Sequence, residues 1–287
     1  MNLRTSAFAT CLTMLSIAGI AQAGAVFRVT VENFGEDNQF FDAGESYVTV
    51  TKVEGNRMRM DTQDMDGKLA SSVIFLGDTD EMHMIDHDKK TVMVMDRQTI
   101  EALGQQMSQV MQQMEEALAQ VPPEQRAMME KMMKGKMPGS DYEPPPPPVV
   151  SDLGESGSVN GVACQWKQVT RDGVLSDKAC VCDDGAIAGG KEMVALAHEM
   201  REFAEGLMKV ASSAANMPTL GGGTVGELGA AVTADLGGFS LISEAYDGDE
   251  KLMRRSTFTS ADEVSIPDAE FTPPSGYKKQ TLEGITR

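Results

Sequence analysis

The sequence predicts an α+β fold in which one antiparallel β-sheet carries amphipathic helices against one face. Three observations predict it. Apolar residues alternate at period two through the N-terminal third. The spacing changes to three and four residues over 97–137 and again near 190–212, and period two returns between and after these stretches. The early alternating runs are separated by short turns with no helix between them, which points to an antiparallel meander.

The first 23 residues precede the fold. Arg4 supplies a positive n-region, Ala7 to Ile20 an apolar h-region, and Ala21-Gln22-Ala23 a small-x-small cleavage signal. The apolar run falls short of the roughly 20 residues a membrane-crossing helix needs. Cys11 lies inside the h-region without the small-residue context of a lipoprotein signal. The expectation is a cleaved signal peptide, 1–23, and a protein exported to a Gram-negative periplasm without stable membrane insertion. The formal net charge is −18, and loss of Arg4 makes it one unit more negative. Such a surface offers no footprint for nucleic acid and repels anionic lipid headgroups.

Strands are expected at Val26 to Val31, Tyr47 to Val53, Met58 to Met60, Val73 to Leu76, Met82 to Ile85 and Val92 to Met95, broken by turn residues such as Glu54-Gly55-Asn56, Asp66-Gly67 and Gly77-Asp78. Ile100, Leu103, Met107, Met111, Met114 and Leu118 then mark one face of a helix over 97–120. Pro122-Pro123 opens a second helix carrying Met128, Met129, Met132, Met133 and Met137. Pro144 to Pro148 is a stiff polyproline stretch. Strands resume at Val162 to Val169 and Leu175 to Val181. A third helix near 190–212 gathers Leu196, Met200, Phe203, Leu207 and Val210, and a Gly/Ala-rich connection covers 213–238. Phe239 to Tyr246 and Leu252 to Phe258 form a last hairpin. The resulting organisation is one domain, 24–287, with a Met-rich helical insertion at 97–137 and a Pro-rich linker at 138–150.

The stretches NRMRMDT (56–62), MHMIDHDKKTVMVMD (82–96), GVACQWKQVTRDG (161–173) and FTPPSGY (271–277) resemble the exported domain-of-unknown-function family 4412, whose fold is similar to the LolA/LolB lipoprotein-carrier type. That resemblance implies a curved antiparallel half-barrel with helices on its apolar concave side, and a carrier function.

Methionine, 22 of 287 residues, poses the chemical question. A hairpin with Asp88-Lys89 as its loop sets Met84 opposite Met93 and Met82 opposite Met95. The four thioethers share one face, which Met58 and Met60 extend. Thioethers suit Cu(I), but the pleat turns His83 and His87 to the other face. Methionine also fills irregular apolar space and adapts to varied guests. The expectation is therefore a ligand cavity lined by Met58, Met60, Met82, Met84, Met93, Met95, Met107, Met111 and Met114. It would hold a lipid, an acyl chain or a lipidated protein, with no cofactor and no resident metal. A soft-metal protein using Met and Cys, and an envelope scaffold without a small ligand, are the alternatives.

Catalytic signatures are incomplete. Gly154-Glu155-Ser156-Gly157-Ser158 lacks the last glycine of a nucleophile elbow and sits in a turn-like segment before a strand. Asp64-Met65-Asp66-Gly67 has Thr62 and Val73 where a calcium loop needs acids. Gly221 to Gly223 has no phosphate-binding lysine after it, and His198 reads as a solvated helix residue. A non-enzymatic protein is expected. Outside the leader stand Cys164, Cys180 and Cys182, in a compartment where thiols pair. The expected bridge is Cys164–Cys180: a three-residue Arg171-Asp172-Gly173 loop sets these two opposite each other and leaves Cys182 spare, whereas a two-residue Asp-Gly loop would set Cys164 opposite Val181.

Overall fold

The computed structural model describes residues 24–35, 41–99, 148–212 and 235–280, together with helical positions 105, 109, 112 and 113. The leader, Met107, Met111, Met114, the second helix and most of the Pro-rich linker lie outside the described residues.

Among the described residues the protein is a 12-stranded open sheet. Strands β1 (Gly24–Asn33), β2 (Ser46–Glu54), β3 (Arg57–Asp64), β4 (Leu69–Leu76), β5 (Glu81–Asp86) and β6 (Thr91–Asp96) form one antiparallel meander. Strands β7 (Val149–Val159), β8 (Val162–Arg171), β9 (Val174–Cys182), β10 (Phe239–Tyr246) and β11 (Leu252–Val264) form another. The meanders join where β1 pairs with β11, so the two halves of the chain share one sheet. The short β12 (Lys278–Gln280) adds in parallel to β6. One long helix, α1 (Gly190–Ser212), follows a one-turn 3-10 helix at Asp184–Ala186.

Period-two alternation becomes two cross-strand rows on one face. Ala25, Val53, Met58, Phe75, Met82 and Met95 stand opposite one another in order across β1, β2, β3, β4, β5 and β6, all buried. The next row is Phe27, Thr51, Met60, Val73, Met84 and Met93. Full burial of a side chain such as Met95 contributes about 1.5–3 kcal/mol. Leu196, Met200 and Phe203 of α1 pack into the same apolar cluster, Phe203 edge-on to Phe75 with ring centroids 5.8 Å apart. The Met84–Met93 and Met82–Met95 pairings follow the expected register. The ladder stops at Asp86–Thr91, however, so the loop is His87 to Lys90, with Lys90 at φ 53°.

Two segments depart from the sequence reading. The expected linker 138–150 runs into β7, which begins at Val149, and the supposed turn at 154–158 lies within that strand. β7 escapes pattern recognition because it is a largely exposed edge strand with a break in register between Asp152 and Ser156. Its Gly157 has a packing reason: a Cβ there would stand 2.9 Å from Cys180 Sγ. The Asn160-Gly161 turn after β7 has φ 51° and 82°, the left-handed pair a two-residue hairpin requires. It reaches back so far that Asn160 Nδ2 donates to Phe258 O (3.3 Å) and Thr259 O (2.8 Å) of β11, three strands from β8.

Cys164 and Cys180 are disulfide-bonded, with Cα atoms 5.3 Å apart, and Cys182 is a free, buried thiol. The pairing is the expected one, but the register behind it differs. The loop is the two-residue Asp172-Gly173 form, with Arg171 opposite Val174. A bulge then lets Ser176 pass unpaired, so that Val169 faces Asp177 and Trp166 faces Cys180. This shift returns the cysteines to one parity, and the bridge spans the diagonal.

Candidate ligand cavity

The placement of α1 begins with a close approach. Gly189 sits at φ 67°, and a Cβ there would lie 2.1 Å from Ala25 Cβ. Asp183 caps the preceding turn by accepting from Gly185 N at 2.8 Å. The helix therefore starts directly on β1 and runs over the sheet with Leu196, Met200 and Phe203 inward.

Between α1 and strands β1 to β3 and β9 to β11 lies a cavity of about 330 Å³, at the lower end of the range for small-molecule sites. Its walls include Phe27, Met58, Met60, Leu196, Met200 and Phe258. Polar groups line it too, with Thr49, Thr51 and Ser256 on the sheet and Asp177, Arg201 and Arg254 among the charged residues. Of the methionines expected to form a cavity, Met58 and Met60 line it. Met82, Met84 and Met95 belong to the adjoining packed cluster, and Met93 is half-buried beside them. Met193 and Met200 of α1 take part instead. Their signal was present in the helical periodicity, but nothing local says which part of the sheet that helix covers.

Glu244, 8% exposed, is a charged group at the cavity wall. It accepts from Tyr246 Oη at 2.6 Å and from Arg255 at 2.7 and 3.0 Å. Burial alone would raise its pKa, but these hydrogen bonds and the charge of Arg255 hold the carboxyl below its ordinary range. Burial and the bond to Glu244 push the Tyr246 hydroxyl up to about 12.

The opposite face carries an arrangement that sequence reading missed. Asp61 accepts from Arg59 Nε (2.7 Å) and Ser72 Oγ (2.6 Å), with Lys52 Nζ at 3.4 Å. Ser72 Oγ lies 2.7 Å from His87 Nε2, and His87 Nδ1 lies 3.0 Å from Tyr277 Oη. Burial lowers the His87 pKa, so the neutral ring donates from Nε2 to Ser72 and accepts at Nδ1 from Tyr277. This is not the order of a nucleophile triad. The carboxylate holds the serine, a tyrosine orients the histidine, and Ser72 is 1% exposed. The group fastens the C-terminal segment onto the sheet. Arg59 donates to Glu270 O (3.0 Å), Lys52 to Glu270 Oε2 (2.6 Å) and Arg57 to Asp268 (2.8 Å). Ile266 and Phe271 pack on Ile74, Ile85 and Val92.

His83 lies on this second face and contacts Glu81 at 3.1 Å, so neither it nor His87 shares a side with the methionine rows. Among the described residues no group of three or more His, Cys, Asp or Glu is placed to hold a metal ion. His198 is exposed. The Asp64–Gly67 stretch forms a turn in which Asp64 Oδ1 accepts from the backbone of Asp66 and Lys68. Burial raises the Cys182 pKa, which keeps that thiol in its less reactive form.

Fold and site together define a sheet protein with an apolar space beneath one helix. No protein-family model matches the chain, and no curated protein matches it. Among solved structures it is similar to an uncharacterized conserved protein from Thermus thermophilus, with TM-score 0.42 and 4% identity over 91% of each chain. It is also similar to PNGF-II, with TM-score 0.36 and 8% identity, covering 92% of this chain and 33% of that one. Likenesses this distant carry no functional argument. No helix among the described residues is long and apolar enough to cross a membrane, and the disulfide fits an oxidising compartment.

Proposed function

We propose that this is a non-enzymatic periplasmic binding or carrier protein that holds an acyl chain, lipid or lipidated partner in the cavity under α1. The observation that carries the reading is the roughly 330 Å³ space walled by Phe27, Met58, Met60, Leu196, Met200 and Phe258. Aromatic and thioether walls adapt to flexible apolar guests. The return of the Asn160 turn to β11 fits the curved half-barrel implied by the LolA/LolB resemblance.

The test is displacement of a fluorescent fatty acid from the wild type and from Ala197→Trp, since the indole would occupy cavity space at a half-buried position. Binding by the wild type and its loss in a variant with unchanged melting temperature supports the reading. A wild type that takes up no acyl probe refutes it.

A soft-metal reading draws on one observation, the opposed Met82–Met95 and Met84–Met93 pairs. It requires tight Cu(I) binding by the wild type that Met84→Leu and Met93→Leu abolish. Binding of the acyl probe by those variants, with no metal uptake by the wild type, excludes it.

A further inference from the structure

We infer that the guest of this cavity is an amphiphile with a zwitterionic head, a phosphate joined to a primary amine, seated between Arg254 and Asp177. The inference rests on the acyl-binding reading and deepens it. Strand register orders the cavity floor from apolar to polar. Past Phe27 and Phe258, the row Ala179, Ser243, Ser256 and Val31 crosses β9, β10, β11 and β1. The next row is Val169, Asp177, Ala245 and Arg254, on β8 to β11. Every residue of both rows lines the cavity. Arg254 stands opposite Asn33, about 20 Å along β1 from Phe27, so a tail lying under α1 brings its head to this row.

Asp177 and Arg254 flank Ala245, their backbones two strands and about 9–10 Å apart. The floor beside them is Ala179, Ala245, Ser243 and Ser256, whose small side chains leave room for a head. No other residue of these two rows is charged. Lys178 and Glu244 border the cavity from the alternate row, where Glu244 accepts from Arg255 and Lys178 lies 5.5 Å from the Tyr246 ring centroid. Arg201 of α1 and Asp235 add one charge of each sign to the other walls. The cavity wall is therefore balanced, while the chain as a whole carries −18. A bare anion is repelled at long range by that charge, and a bare cation is left facing Arg254. A zwitterion avoids both penalties and satisfies Arg254 and Asp177 together. Arg201 and Arg254 have partners within the chain as well. The five N–H donors of a guanidinium let it take a phosphate in addition.

The experiment displaces an environment-sensitive apolar dye from the full-length protein with three competitors that share one tail. They are monododecanoylglycerol, its phosphate monoester and its phosphoethanolamine derivative, each below its micellar concentration. The wild type is expected to prefer the phosphoethanolamine to each of the others by roughly tenfold or more. Arg254→Gln should abolish its advantage over monododecanoylglycerol. Asp177→Asn should bring the phosphate monoester level with it, a split by sign that a general loss of structure would not produce. Melting temperatures accompany both variants, and the wild-type order decides alone if either unfolds. Any other order in the wild type, or an order that survives both substitutions, overturns the inference while leaving the cavity reading intact. Failure of every competitor to displace dye from the wild type brings down the cavity reading and the inference together.

Discussion

Removing the carboxylate of Asp61 tests whether the network that fastens the C-terminal segment holds the protein together. Asp61 is 5% and Arg59 8% exposed, and their 2.7 Å contact is supported by Ser72 and Lys52. Asp61→Ala strips the partner from a buried guanidinium and frees the Ser72 hydroxyl. Breaking a buried pair from one side costs about 3–5 kcal/mol, whereas replacing both partners with apolar groups is often close to neutral. The paired change Arg59→Met/Asp61→Leu should therefore recover most of the loss. It keeps a residual deficit of about 1 kcal/mol, because Arg59 also donates to Glu270 O. Equilibrium urea unfolding followed by the fluorescence of Trp166, the single tryptophan, reads both variants. A single variant within about 1 kcal/mol of wild type, or a double variant as unstable as the single one, would refute the assignment of this pair as the anchor of the C-terminal segment.

Replacing Cys164 and Cys180 by Ser should cost about 3 kcal/mol, as expected for a bridge at a sequence separation of 16; non-reducing peptide mapping should find Cys182 free. The lowered His87 pKa means that stability is fully present above about pH 6.5 and falls as pH drops through that value toward the folded pKa. His87→Gln should flatten this part of the profile in urea titrations between about pH 5 and 8, and an unchanged slope would show that His87 does not contribute it. Gly189→Ala forces a Cβ into Ala25 at a left-handed backbone position and should destabilise by about 1–3 kcal/mol; thermal melts that match the wild type would contradict the close approach.

The sequence made legible whatever is local and periodic. Strands β2 to β6, helix α1 and the facing methionines Met82–Met95 and Met84–Met93 follow from periods of two and near 3.6. What it hid depends on distant contacts. Glu270 is fixed by Arg59 and Lys52, Tyr277 by His87, and Ile266 by Ile74, Ile85 and Val92, with partners up to 218 positions away along the chain. The Ser176 bulge shows the same limit at short range. The three-residue reading of Arg171-Asp172-Gly173 named the right cysteines through a different register, because the loop is the two-residue form and the bulge at Ser176 restores the parity. The cavity was half legible for a related reason. Periodicity assigns Met58 and Met60 to a face, but the contact of Gly189 with Ala25 decides which stretch of that face lies under α1.

The two faces of the sheet are packed in different ways. A void lined by Phe27, Met60 and Leu196 forfeits dispersion contacts that a filled core would have, and the unpaired Thr62 and Ser71 hydroxyls add to that cost. A sheet weakened on one side keeps a unique structure if the other side is densely and directionally fastened. The strands whose hydroxyls are orphaned on one face, β3 and β4, carry Arg59, Asp61 and Ser72 on the other, and β2 alternates Thr49 and Thr51 with Lys52 in the same way. Alternation therefore does more here than separate core from solvent. It places specific ionic fastening directly behind the apolar lining, so the register of the sheet is held from one face while the other borders the void.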